Sequence, residues 1–94
     1  MKLIISPNIE KKLKEKHEVL PKEVMQCFEN RVGALLQDTR EDHKTDPPTE
    51  WFIAETNSGR SLKVCIVQTD SGVFLKTAFE PWAEEIRIYS THAF

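Results

Sequence analysis

The sequence predicts an α+β domain: an N-terminal strand, a helical hairpin, a three-stranded antiparallel sheet, and a C-terminal helix or strand. Three observations carry this. Two proline-opened apolar repeats of helical period fall within residues 7–32. Three β-rich runs, WFIAET, SLKVCIVQT and VFLKTAF, are separated by the turn signals NSGR and DSG. Between the two blocks lies a polar stretch with Pro47-Pro48 and no periodicity. With 94 residues the chain has room for one core, so residues 1–94 read as a single domain.

The leading LIIS is a short β-branched run that stops at Ser6-Pro7. Ser as N-cap and Pro at the first helical position start a helix. Ile9 and Leu13 repeat at i,i+4, with Lys11, Lys12, Lys14 and Lys16 on the wet side, and the helix is expected to end near His17. LPKEV starts a second helix, with Glu23 suited to the N-terminal dipole. Val24, Cys27, Phe28 and Val32 hold helical spacing in it, and Gly33 marks its end. Residues 36–50 are expected to be loop, because neither proline can donate to a ladder and Asp46 before Pro47 disfavours helix. At the C-terminus, Pro81 can open a helix with Trp82, Ile86 and Tyr89 on one face, while the alternation in EIRIY also permits a strand.

If both hairpin loops hold an even number of residues, residue 53 pairs with 64 and 66 with 75. Trp51, Ile53, Leu62, Val64, Ile66, Val73, Leu75 and Phe79 then share an apolar face, which the helical hairpin covers. The opposite face carries Phe52, Ala54, Thr56, Ser61, Lys63, Cys65, Val67, Phe74, Lys76 and Ala78, with two lysines among aromatics.

Hydrophobic residues at 39% and charged residues at 30% describe an ordinary globule. No apolar run approaches the roughly 20 residues that span a bilayer. MKLIIS is too short for a secretory core, so no membrane partner and a cytoplasmic location are expected. The net charge is −2, unevenly spread: residues 1–31 hold seven Lys/Arg against five Asp/Glu, and residues 32–50 hold two against five. A dedicated nucleic-acid binder carries a basic excess, so any such function needs a local patch. Cys27 and Cys65 have neither CxxC spacing nor a nearby His pair. They are expected to be reduced, with no metal and no cofactor.

No phosphate loop, HExxH or GxSxG is present. Lys63 and Lys76, within reach of Arg60, form a candidate anion site that could hold a phosphodiester and stabilise charge at phosphorus. The competing reading is that each lysine snorkels over apolar neighbours. The arm HKTDPPTE is expected to act as a rigid lead-in, setting His43 and Asp46 beside the sheet edge and blocking further strand pairing there. Trp51 and Phe52 then become an aromatic anchor for a partner or for a second copy in a homodimer, unless both rings are core.

KEKHEVLPKEVMQCF resembles the "KHGV-x-x-E-E" helix junction of the BrnT-like toxins, within the RelE/ParE-like toxin superfamily. Lys16, His17, Val19, Glu23 and Phe28 fall at the matching places. The acidic loop with Asp38 and His43, Trp51-Phe52, and Gly59-Arg60 before LKVCIV follow the same layout. The resemblance spans most of the chain. It implies a metal-independent ribonuclease acting from an open sheet face, neutralised by a small DNA-binding antitoxin-like protein. BrnT-like toxins usually end in an Arg-rich helix. Here KTAFEPWAEEIRIY leaves Lys76 and Arg87 as cations, with Glu80, Glu84 and Glu85 opposing them.

Two function classes follow. One is a toxin-like RNA endonuclease with Lys63, Lys76, Arg60 and Arg87 around the scissile phosphate and His43 or Tyr89 as proton carriers. The other is a non-catalytic protein-interaction module of the same fold, binding through Trp51 and Phe52.

Overall fold

A computed structural model of the chain describes residues 2–39 and 47–94. The fold is α+β. Strand β1 (Leu3–Ile4) leads into helix α1 (Pro7–Lys12), which continues as a π-helical turn (Leu13–His17). Helix α2 (Pro21–Asn30) follows, then β2 (Leu36–Gln37), β3 (Thr49–Glu55), β4 (Ser61–Thr69), β5 (Gly72–Phe79) and helix α3 (Ala83–His92). Among the described residues the strands form one sheet in the order β1-β5-β4-β3-β2. Among these described strands only β1 pairs in parallel, with β5. The expected three antiparallel strands are thus present, and a two-residue strand extends each edge. No helix among the described residues is long and apolar enough to cross a membrane.

Local chemistry accounts for the helical hairpin. Ser6 Oγ accepts the Ile9 N–H at 3.2 Å, and Glu23 Oε1 accepts the Leu20 N–H at 3.0 Å, so each helix start has a side-chain acceptor. Between the helices Glu18 adopts the left-handed conformation (φ 53°). That geometry disfavours any residue with a Cβ. Glu18→Gly is therefore expected to stabilise the fold by about 0.5–1 kcal/mol, since the Glu18 contact to the rest of the protein is made by its carbonyl. A thermal melt checks this: an unchanged or lower Tm would mean that the turn is unstrained.

Three expectations need correction here. Helix α2 ends at Asn30, so Val32 lies outside it and is 85% exposed. Residues 36–50 are not all loop, because Leu36 and Gln37 pair with Trp51 and Glu50, and the Asp38 N–H donates to Thr49 O at 2.8 Å. The edge at Trp51 is therefore paired. His43 and Asp46 lie outside the described residues.

The register differs from the even-loop expectation in one hairpin and agrees in the other. Residue 66 pairs with 75 as expected, but Ile53 pairs with Lys63 and Phe52 with Val64. The cause is the NSGR turn. The Thr56 N–H donates to Arg60 O, Gly59 N–H donates to Thr56 O, and Gly59 sits at φ 87°. This leaves a three-residue loop closed by a left-handed glycine, and an odd loop moves every side chain of β3 to the other face. A second irregularity, between Cys65 and Ile66, leaves Lys76 without a partner and turns Phe79 over. On the hairpin side the sheet therefore presents Phe52, Ala54, Leu62, Val64, Ile66, Leu75 and Ala78 to Leu13, Val19, Val24 and Cys27. Trp51, Ile53, Lys63, Cys65 and Phe79 face the other way. Phe28 packs edge-on against Phe52 with ring centroids 4.9 Å apart.

Candidate functional site beneath the C-terminal helix

Helix α3 covers part of the sheet face that the sequence left open. It steps from β4, where Glu85 meets Lys63, to β3, where Tyr89 packs on Trp51 with ring centroids 5.6 Å apart. Beyond β3 the Ala34 N–H donates to Ala93 O at 2.9 Å. The sheet is thus packed on both sides, which buries Lys63 to 7% exposure on a central strand.

A cleft of about 490 Å³ opens between α3 and the β2 edge. Leu36, Trp51 and Ile88 form its apolar lining, and Asp38, Lys63, Glu85 and His92 are its ionisable groups. Lys63 Nζ donates to Glu85 Oε2 at 2.6 Å and lies 4.5 Å from the Trp51 ring centroid and 5.7 Å from that of Phe79. Cation, carboxylate and aromatic faces thus compensate one another away from water. Glu85 works twice, because its Oε1 also accepts the Trp82 N–H at 2.9 Å and caps α3. A second depression of about 540 Å³, near Asn30, Val32, Ile53 and Asn57, is lined by neither cation nor histidine.

The proposed phosphate-binding cations do not converge. Arg60 sits at the hairpin turn and binds Glu23 at 3.2 Å and Glu80 at 3.1 Å. It also donates to the carbonyls of His17 and Glu18, clamping the helical junction onto the sheet. Burial works to lower its pKa, but the hydrogen bonds and charges of Glu23 and Glu80 outweigh that and raise it. Arg87 pairs with Glu84 one helical turn away, in solvent. Lys76 is exposed at the bulge, three residues before Phe79, the strand partner of Lys63. The expectation that Lys63 and Lys76 share an open face beside Arg60 is therefore corrected. Lys63 keeps the face expected for it but is covered by α3, and the irregularity between Cys65 and Ile66 leaves Lys76 exposed outside it.

Tyr89 is likewise held apart from these cations, 4% exposed beneath its own helix. Its hydroxyl donates to Ala34 O at 2.9 Å, and the backbone of Ile53 hydrogen-bonds to it. The side chain so plugs the β3 edge just past the end of β2. Burial raises its pKa, with the Arg31 charge and the Ile53 bond pulling the other way. This close approach explains Gly33, where a Cβ would lie 2.6 Å from Tyr89 Oη. His43 lies outside the described residues. Phe52 is fully buried under α2, so it cannot anchor a partner, and Trp51 is 8% exposed on the cleft wall.

Sequence reasoning passed over Glu85, Ile88 and His92 as a set. Their i, i+3, i+7 spacing was the available signal, masked by the more apolar Trp82, Ile86 and Tyr89. Cys27 is buried and Cys65 half-buried, and no disulfide joins them. Burial first, and the Glu23 charge second, push the Cys27 thiol up to about 11 against the opposing charge of Arg60. Among the described residues no three His, Cys, Asp or Glu side chains group as metal ligands.

No family model, no curated protein and no solved structure matches this chain.

Proposed function

We propose that the chain is a non-catalytic protein-interaction module on a RelE/BrnT-like α+β scaffold, receiving a partner segment in the cleft beneath α3. The observation that carries this reading is the pairing of cations with carboxylates: Arg60 with Glu23 and Glu80, Lys63 with Glu85, and Arg87 with Glu84. Polyanion affinity grows with each phosphate neutralised, and these cations are already neutralised within the fold. The cleft sets the Asp38 and Glu85 carboxylates and the Lys63 ammonium around the apolar side chains of Leu36, Trp51 and Ile88. This suits a segment that brings an apolar residue with a polar neighbour. A small DNA-binding antitoxin-like protein is the partner class that the resemblance implies.

A second reading, metal-independent RNA cleavage, rests on Lys63, Glu85 and His92 lining the same cleft. General acid–base cleavage of a phosphodiester needs a proton donor, an acceptor and a cation. Incubation with RNA in EDTA separates the two. No cleavage is expected at any protein concentration, and Gln37→Trp, which places a large ring in the cleft, is expected to abolish capture of partner peptides that the wild-type chain selects from a random peptide library. Cleavage that disappears in both Lys63→Met and His92→Ala would overturn the binding reading in favour of the second.

A further inference from the structure

Helix α3 has two flanks of opposite character. Glu85, Ile88 and His92 line the cleft, whereas Trp82 and Ile86, one turn apart, lie on the other flank and are 76% and 44% exposed. Ser90 continues that second stripe at the same spacing. Phe94, 76% exposed, follows the helix end and packs over Gly33, whose neighbour Val32 is 85% exposed. The stripe of 82, 86 and 90 carries no charge, although Glu84, Glu85 and Arg87 stand on the same helix. Trp82, Ile86 and Phe94 thus leave an apolar flank on this helix and its end open to solvent.

We infer that this flank is the interface of a homodimer, two copies packing α3 against α3 in antiparallel fashion. About a two-fold axis midway between Ile86 and Ser90, Trp82 of one copy meets Phe94 of the other and Ile86 meets Ser90. The arrangement is isologous, so the same stripe supplies both sides. It brings no like charges of the stripe together, and it opposes the two helix dipoles. Ser90 is small enough to receive Ile86. Trp82, Ile86 and Phe94 expose apolar area on the order of 400 Å² per copy. That is about half of the ~800 Å² per partner of a standard interface, the size of a weak dimer whose population depends on concentration. The inference stands apart from the binding reading, because the cleft on the opposite flank stays open in such a dimer.

Sedimentation velocity over a hundredfold concentration range tests it. The wild-type chain is expected to move from monomer to dimer with concentration, and Trp82→Glu and Ile86→Glu each to hold it as a monomer with an unchanged circular dichroism spectrum. Both side chains are exposed in the monomer, so loss of folding is not expected. Mixing Ile86→Cys with Ser90→Cys chains under mild oxidation should give a cross-linked pair absent from the wild type with its native thiols. A wild-type chain monomeric at every concentration overturns the inference, as does a dimer that survives both glutamate substitutions.

Discussion

Phe52→Ala is expected to lower the stability of the domain by about 3–5 kcal/mol. Phe52 has no exposed surface, packs edge-on against Phe28 at 4.9 Å, and lies across from Val64 in the centre of the sheet. Removing the ring leaves a cavity that neither the helices nor the sheet can close, because both are fixed by their own hydrogen bonds. A loss of that size is a large share of the roughly 5–15 kcal/mol that holds a domain together. Ile53→Ala is the matched control. Ile53 is half-buried on the opposite side of the sheet, and its truncation is expected to cost only about 1–2 kcal/mol. Urea denaturation with a shared m-value compares the two. If Ile53→Ala proves the more damaging, the odd-loop register is wrong and β3 faces the other way.

Lys63→Met is expected to cost about 2–3 kcal/mol. Methionine keeps the length of the stem while removing the charge, so the loss reports the ion pair and the ring contacts rather than packing. The Lys63 side chain is 9% exposed and that of Glu85 is 23% exposed, which sets the pair between a surface bridge and a fully buried one. Glu85 would keep the Trp82 N–H but lose the Lys63 contact, so helix α3 would be held less firmly over β4. A double-mutant cycle with Glu85→Gln isolates the pairwise part. The two substitutions together should cost clearly less than the sum of each alone. Additive losses would mean that the 2.6 Å contact contributes nothing to stability and that Lys63 is held by the aromatic rings.

Much of the architecture was legible because it is written locally. Ser6-Pro7 and Pro21 with Glu23 are chemical start signals for helices, and the β-branched runs at 61–69 and 72–79 are bounded by their own turn residues. The two-residue strands were not legible in the same way, since Leu36 and Gln37 are strand only because β3 lies beside them. The helix at 83–92 could be read as strand from EIRIY. What decided it was the capping of Trp82 by Glu85 and the docking of Tyr89 on Trp51.

The chain by itself determined the α+β class, the helical hairpin and its caps, the three long strands and the core identity of Val64, Ile66 and Leu75. All of these rest on interactions within a few residues or on a period that a single segment carries. Only the tertiary structure decided which face β3 and the end of β5 show and which charges meet. One residue more in the turn at Gly59 turns β3 over, and one unpaired residue at Lys76 turns Phe79 over. The sheet side bearing Lys63 then closes under α3, where Glu85, 22 positions away, neutralises the lysine. Arg60 and Glu23 meet across 37 positions for the same reason. Carboxylates and cations so far apart along the chain carry no sequence signal of their pairing, because Coulomb attraction depends on distance in space and the fold alone sets that distance.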